Sequence, residues 1–286
     1  MYKSFKYIAV AAIVAACQPK PIDVKVKPAP EKLVVSSSVI PNRIMVVTLT
    51  RSFSALDATA NAGTVTESQL QSLLVKNAFV TISYGGRIDT LHKMSDGVYG
   101  SSDVLLTNYS SYLLYARDND SGLEVTATTS MMPYKTFDTI NVFKTEKGVC
   151  NVHFKISDDL ANTNYYVVNF IHKLKGDSNR GLQQFYTNSN SDYENYMDLL
   201  NDDSFTDAVY ESTKELPSVG PNDSIAVSIA NISQGYYEFL SAFKRAGNFI
   251  NALTAEPIHY PTNVNNGYGF FNAYYPQVRV FDMKDH

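Results

Sequence analysis

Apolar residues alternate with polar ones along most of this chain, and turn residues interrupt the alternation about every ten residues. A β-branched run, Arg43–Leu49, follows the turn pair Pro41–Asn42. Further on, Gly85–Gly86 separates Ala78–Tyr84 from Arg87–Leu91, which predicts a β-hairpin with a two-residue loop. Short strands at this spacing predict a β-sandwich, and abundant Tyr and Phe agree with a strand-rich fold.

Two more turns and two helices are predicted within this strand pattern. Asp96–Gly97 marks a turn, and Asn119–Gly122 separates two further strand patterns. Leucines at helical spacing predict a helix over Thr66–Lys76. Ser233 is a predicted N-cap for a second helix over Gly235–Ala246, since it precedes an aromatic-rich amphipathic pattern. The fold class predicted from these patterns is mainly β with one or two short helices.

Size, charge and composition exclude several classes of protein. The chain has 286 residues, a formal net charge of −4 and 44% apolar residues. Its sequence pI is near 5.7, whereas a nucleic-acid-binding domain usually shows a basic face, so we expect no nucleic-acid partner. The apolar fraction is too high for intrinsic disorder, and two cysteines cannot form a disulfide-dense scaffold.

The N-terminus has the features of an export signal. Lys3 and Lys6 form a positive region ahead of the apolar stretch Tyr7–Ala16, which is shorter than the ~20 residues needed to span a bilayer. The end of the stretch matches a bacterial lipobox, made of Val14, Ala15, Ala16 and Cys17. Residues 1–16 are therefore a predicted signal peptide and Cys17 a predicted lipidation site; the alternative is an ordinary secretory signal with an incidental cysteine.

A proline- and lysine-rich tether is predicted to follow the lipidated cysteine. Residues 17–32 contain four Pro and four Lys, and proline prevents helix formation and removes hydrogen-bond donors. Gln18 follows Cys17 instead of the Asp that serves as an inner-membrane retention signal. We therefore expect outer-membrane anchoring through the N-terminal lipid, with the leaflet, periplasmic or cell-surface, left open.

Metal-binding patterns are sparse in the sequence. The five histidines lack the local spacing of zinc ligands. Asp118 and Asp120 begin an oxygen-rich turn that is a weak calcium candidate, although its glycine comes one position too early for an EF-hand loop. The acidic run Asp192–Asp203 is a second weak candidate. The alternative in both places is an ordinary solvated acidic turn, and no cofactor is predicted.

The sequence contains no recognisable catalytic motif. The chain contains no G-x-S-x-G elbow, and Gly267–Asn272 lacks the third glycine of a dinucleotide fingerprint. The Asn266–Gly267 step instead predicts a hairpin turn. Cys150 lies in a strand pattern and is predicted to be a buried, inert thiol. We therefore expect a protein that is not an enzyme.

A binding role is suggested by the tyrosines. Tyrosine gives a large contact area at low entropic cost, and four tyrosines form the predicted binding surface: Tyr193, Tyr196, Tyr268 and Tyr274. The alternative is that most tyrosines are half-buried strand residues. Glycan platforms lean heavily on Trp, which this chain lacks, so a protein ligand is favoured over a glycan.

The order of these features resembles DUF4249, a family of Bacteroidetes outer-membrane lipoproteins. After the lipobox, the matching blocks run in the family's order along nearly all of the mature chain. They are Lys32–Ser52, Val75–Gly86, Asp96–Asp103, Thr126–Pro133, His153–Asp159, Asn164–Val168, Asp223–Phe243 and Pro261–Tyr275. The most specific conjunction is the YYEFL helix followed by the PTNV–GYGFF strand, whereas the Ser52–Lys76 stretch is longer than expected.

The resemblance implies both a domain organisation and a partner. An immunoglobulin-like or carboxypeptidase-regulatory-like β-sandwich is expected at 33–134, and a larger β-rich domain at 135–286. The resemblance also implies association with a TonB-dependent outer-membrane receptor, and it supplies no catalytic residues. The leading hypothesis is an accessory binding subunit of such a receptor; the alternatives are a free-standing lipoprotein that binds a glycan or peptide, and a secreted hydrolase of unrecognised type.

Overall fold

The computed structural model describes most of the chain between residues 30 and 284. The described residues are 30–40, 44–52, 71–108, 110–145, 149–159, 161–173, 195–216, 219–245 and 260–284. The predicted signal peptide, Cys17 and residues 17–29 of the tether lie outside these ranges. Glu31–His286 forms one compact unit, distinct from Met1–Pro30. Within the described ranges, no helix has the length and apolar character needed to cross a membrane.

The described residues form a mainly β structure, which confirms the predicted fold class. The strands are β1 (Leu33–Ile40), β2 (Ile44–Arg51), β3 (Ala78–Tyr84), β4 (Arg87–Ser95), β5 (Val98–Ser101), β6 (Ser111–Asp118), β7 (Glu124–Ser130), β8 (Thr139–Lys144), β9 (Cys150–Ser157), β10 (Tyr165–Lys173), β11 (Asn195–Asn201), β12 (Val209–Leu216), β13 (Ser224–Asn231), β14 (Val264–Asn265), β15 (Tyr268–Phe270) and β16 (Gln277–Asp282). One helix, α1 (Gln234–Arg245), lies between β13 and β14.

The first lobe is built from a sheet with strand order β14-β7-β6-β3-β4-β5-β2-β1-β15. The predicted Gly85–Gly86 hairpin is confirmed between β3 and β4, and both glycines have positive φ angles, as a tight hairpin loop requires. The predicted hairpin across Asn119–Gly122 joins β6 to β7. Alternate residues of these strands face one core, which includes Val35, Ile82 and Leu114.

The helix predicted over Thr66–Lys76 is only partly described. Residues 71–73 are helical, whereas residues 53–70 lie outside the described ranges. Leu74 does not continue the helix, because it forms a β-bridge with Thr50. The Val75 side chain is buried in the core of the first lobe. Tertiary packing against β2 therefore overrides the local helical spacing at the end of this segment.

A segment near the end of the chain completes the first lobe; we call residues 263–272 the C-terminal clasp. Its strand β14 pairs antiparallel with β7, and its strand β15 pairs parallel with β1. Strands β14 and β15 are the first and last strands of the nine-strand order. The two-residue connection Asn266–Gly267 therefore links the two edges of the sheet. A tight turn was predicted here, but each strand pairs with a distant strand instead of with the other.

Close backbone contacts hold the clasp in place. A Cβ atom on Gly269, which has φ +88°, would lie 2.0 Å from the Val35 carbonyl oxygen. The Ser37 hydroxyl donates to the Asn272 carbonyl (2.8 Å) and accepts from the Asn272 N–H (2.7 Å). Asn263 bonds to both backbone polar groups of Phe271. The clasp is thus fixed to β1 by backbone and side-chain hydrogen bonds in a place where only glycine fits.

The second lobe packs a four-stranded sheet, β11-β10-β13-β16, against a three-stranded sheet, β12-β9-β8. Inward-facing side chains such as Phe154, Phe170 and Val227 fill the space between the sheets. The predicted buried thiol, Cys150, lies in this core, and burial raises its pKa. A thiol in this environment is mostly protonated and therefore a poor nucleophile.

Helix α1 covers part of the other face of the four-stranded sheet, and it confirms the second predicted helix. The Ser233 hydroxyl caps its start by accepting from the Tyr236 N–H (3.3 Å). The Tyr236 ring packs against Phe270 and Tyr274, with centroid distances of 5.3 and 6.0 Å. Through these rings the helix joins the second lobe to the C-terminal clasp. The clasp lies in the 135–286 range, yet its strands complete the sheet formed by the 33–134 range.

Candidate functional site

The first weak calcium candidate is a turn fastened by an ion pair. The Asp118 side chain has no solvent exposure, and its Oδ2 lies 2.6 Å from Nη2 of Arg51. The same oxygen accepts from the Ser121 hydroxyl (2.7 Å), while Oδ1 accepts from the Asp120 N–H (3.0 Å). Asp120 itself accepts from the Asn77 amide. The Asp118 carboxylate therefore organises the β6–β7 turn and is bound to an arginine.

The pKa of Asp118 reflects this arrangement. Burial alone would raise the pKa of a carboxyl group, because it disfavours the charged form. The hydrogen bonds from Ser121 and from the Asp120 N–H, together with the Arg51 guanidinium, outweigh that effect and hold the pKa of Asp118 below its ordinary value. The carboxylate is therefore ionised, and the Arg51 guanidinium balances its negative charge.

The second acidic run is also engaged by protein groups where it is described. Asp198 on β11 lies 2.8 Å from the Lys214 ammonium, and Asp202 accepts from the Asn164 N–H at 2.9 Å. Asp192 and Glu194 lie outside the described residues. Among the described residues, no group of three or more His, Cys, Asp or Glu side chains is arranged to hold a metal ion.

The four predicted binding tyrosines do not form one described surface. Tyr193 and the side chain of Tyr196 lie outside the described part of the structure. Tyr268 on β15 is 45% exposed, and the Lys32 ammonium lies 4.9 Å from its ring centroid. Tyr274 is only 7% exposed, because α1 packs over it. Tyr274 therefore packs in the buried cluster between α1 and the four-stranded sheet, while Tyr268 is available at the surface.

A hydrogen-bonded polar cluster closes one end of the second lobe. The Tyr166 hydroxyl donates to Asp158 at 2.5 Å, and the Asn164 amide donates to the same carboxylate at 3.1 Å. Burial and the hydrogen bond to Asp158 both raise the pKa of Tyr166 well above its usual range. Asn231 donates in turn to the Asn164 side chain. The phenol stays protonated, so the cluster serves as a structural hydrogen-bond network.

A buried His–Asp pair lies elsewhere in the second lobe. Nε2 of His172 lies 2.8 Å from the Asp223 carboxylate, and both side chains are almost fully buried. The Gly220 N–H donates to the same carboxylate oxygen at 2.5 Å. This pair fastens the loop before β13 to β10. No local pattern predicts this pair, since the partners are 51 residues apart.

The outward side of the first lobe carries several exposed apolar side chains, interrupted by Thr81 and Ser83 of β3; we call this set the outer apolar face. Its members are Phe79, Ile88, Leu113 and Tyr115. Ile88 and Leu113 both lie opposite Ser83 in the sheet register, so β3 runs between their strands, which are about 10 Å apart. They are 70% and 44% exposed, and Phe79 is 48% exposed. The Phe79 and Tyr115 rings make an edge-to-face contact at 6.4 Å.

A concave surface of about 720 Å³ lies between α1 and β11. Its apolar lining comes from Leu199, Tyr237, Ala242 and Pro261. The Tyr237 ring is fixed in place by a contact with the Tyr165 ring at 4.9 Å. Lys244 and Arg245, in the last turn of α1, add two cationic groups to the lining, and Glu238 adds one carboxylate. Sequence reasoning missed this site, although the basic last turn was visible in the sequence.

The fold shows a two-lobed, mainly β protein whose C-terminal clasp returns to the first lobe. The family is assigned by comparison of the sequence with family models. The model of DUF4249, a domain of unknown function, matches residues 19–278. The chain belongs to this family. A search of curated proteins finds no match.

Comparison with solved structures finds distant similarities. A cytokine receptor complex is 8% identical, with 87% of this chain and 96% of that chain covered and a TM-score of 0.25. The FN1–FN3 domains of chicken CNTN1 are 11% identical, with 73% and 64% covered and a TM-score of 0.25. A DUF3823 family protein from Parabacteroides merdae is 11% identical, with 71% and 91% covered and a TM-score of 0.22. At such scores we transfer no functional property.

Proposed function

We propose that this protein is a lipid-anchored, non-enzymatic subunit of the outer membrane that binds a TonB-dependent receptor through its outer apolar face. The observation that carries the proposal is the grouping of Phe79, Ile88 and Leu113, three exposed large apolar side chains on adjacent strands of one face. Single exposed apolar residues are common, whereas larger exposed apolar groups mark interaction sites. The lipobox and the tether support a position next to the barrel of a membrane receptor.

The proposed contact is tested by capture of the tagged full-length protein from outer membranes solubilised in mild detergent. We expect a TonB-dependent receptor to be recovered in near-equal amount and identified by mass spectrometry. The double variant Ile88→Ser/Leu113→Ser should lower receptor recovery about tenfold or more, because both side chains lie at the centre of the proposed contact. It should barely change the free energy of unfolding, since both side chains are exposed.

The matched control is Val280→Ser on β16, which removes an apolar side chain that is 55% exposed elsewhere. Receptor recovery should be unchanged by this substitution. Equal loss with Val280→Ser would show that the outer apolar face is not the contact surface. Recovery of no receptor by the wild-type protein would overturn the partnership and favour a free-standing glycan- or peptide-binding lipoprotein.

The membrane anchor is tested separately by Cys17→Ser. The substitution removes the proposed acylation site, and each buried CH₂ of an acyl chain contributes about 0.8 kcal/mol to membrane binding. We expect the variant to move from the membrane pellet into the soluble fraction on cell fractionation. Cys150→Ala is the control, because Cys150 is buried in the second lobe and its replacement should leave the protein in the membrane. Membrane retention of Cys17→Ser would contradict lipidation.

A further inference from the structure

The concave surface between α1 and β11 combines an apolar wall with an excess of positive charge. The Lys244 ammonium donates to the Met197 carbonyl at 2.7 Å and lies 4.0 Å from Asp198. The same Asp198 carboxylate already pairs with Lys214 at 2.8 Å. Arg245 adds a further cation beside Lys244, and Glu238, which accepts from the Gln234 amide, adds a second carboxylate to the lining. The three cations therefore exceed the two carboxylates by one, in a chain whose formal net charge is −4.

The lining is ordered as well as charged. Lys244 is held over β11 by its contact with Met197, so its charge is positioned before any ligand arrives. Tyr237 packs on Tyr165, and Ala242 is almost fully buried. Basic residues at a helix C-terminus also interact with the helix dipole, which explains their position in α1. That interaction does not explain the apolar wall from Leu199 and Pro261 beside them.

We propose that this concave surface binds an amphipathic organic anion, with its apolar body against Tyr237, Leu199 and Pro261 and its anionic group at Lys244 and Arg245. A volume of about 720 Å³ is within the range of small-molecule sites. The anionic group is a carboxylate or a phosphate, either of which accepts charge-assisted hydrogen bonds from ammonium and guanidinium groups. The proposal does not depend on the receptor partnership, because the surface lies on the second lobe, away from the outer apolar face.

The test uses the chain from Gln18 onward, produced without lipid, because Glu31–His286 forms a compact unit distinct from residues 1–30. The probe is 1-pyrenebutyrate, followed by its fluorescence, and the neutral comparison is 1-pyrenebutanol. We expect saturable binding of 1-pyrenebutyrate with a Kd of about 10 µM, as is usual for a ligand of its size. Binding of 1-pyrenebutanol should be about tenfold weaker, because it lacks the charge.

Variants assign the binding to this surface. Lys244→Gln/Arg245→Gln should weaken 1-pyrenebutyrate about tenfold and leave 1-pyrenebutanol unchanged. Arg245→Gln alone, which keeps the Lys244–Met197 contact, should lower affinity in the same direction. Arg87→Gln/Lys93→Gln, which removes exposed cations of the first lobe, should have no effect. Each variant's urea unfolding midpoint verifies that it is folded.

Competition experiments, in which other anions displace 1-pyrenebutyrate, identify the chemical class of the natural ligand. Decanoate, decyl phosphate and an N-acetylated hydrophobic tripeptide represent a fatty acid, a lipid phosphate and a peptide carboxylate. Displacement by any of these supports the proposal and indicates the source. Three results would overturn it: no saturable binding, equal affinity for the acid and the alcohol, or unchanged affinity in Lys244→Gln/Arg245→Gln.

Discussion

Gly269→Ala should destabilise the protein by about 4 kcal/mol, a loss in the exceptional range for one substitution. The new Cβ would lie 2.0 Å from the Val35 carbonyl oxygen, so β15 would have to move away from β1. The positive φ of Gly269, +88°, adds strain for any residue with a side chain. The measurement is urea unfolding followed by tyrosine fluorescence, since the chain contains no Trp.

The matched control for this variant is Gly86→Ala in the β3–β4 hairpin. Gly86 also has a positive φ, +77°, but nothing lies within 4 Å of the Cβ position. Its replacement should cost only the backbone strain, about 1 kcal/mol. Equal losses in the two variants would mean that the contact between the clasp and β1 contributes nothing beyond that strain.

Arg51→Met should cost about 3 kcal/mol at neutral pH, because it leaves the Asp118 carboxylate buried without its cation. Asp118 has no solvent exposure, whereas Arg51 is 25% exposed. Methionine keeps much of the apolar length of the arginine side chain. The loss in the free energy of unfolding should therefore come mainly from removal of the positive charge. Lys93→Met is the control: its pair with Asp96 is exposed on both sides, so its loss should change the free energy of unfolding far less than Arg51→Met does.

The effect of Arg51→Met should also depend on pH. The folded protein holds the pKa of Asp118 below its ordinary value, so the resulting stabilisation is complete above the unfolded-state pKa of about 3.9. It is lost as the pH falls through the lower pKa of the folded state. The difference between wild type and Arg51→Met should therefore shrink below about pH 4. A difference that stays constant from pH 7 to pH 3 would contradict the ion-pair explanation.

Local patterns in the sequence were sufficient to predict the hairpins and one helix. The Gly85–Gly86 loop needs only its two flanking strands, and Ser233 caps α1 within one turn. The clasp was not predictable in this way, because its partners are remote; the bonds between Ser37 and Asn272 span 235 positions. Strand β15 is three residues long, too short to show which strand it would pair with.

The candidate sites were less predictable than the fold. Tyr268 and Tyr274 belong to one aromatic-rich segment, yet only Tyr268 is exposed, because α1 packs over Tyr274. The concave surface joins a helix to Pro261 and to the strand residue Leu199, and nothing in a local pattern specifies that packing. The partner of Asp118 was equally unpredictable from a local pattern, since Arg51 lies on a strand 67 positions earlier.

If the chain is exported, as the proposed function requires, the clasp has a consequence for its biogenesis. Secretion delivers a polypeptide N-terminus first, and β1 and β7 then remain as open sheet edges until Val264–Phe270 has been delivered. Unpaired edges are prone to aggregate, and contacts between such distant residues form slowly. We therefore expect the nascent protein to depend on periplasmic chaperones for most of its translocation, and its two lobes to mature in a single late event.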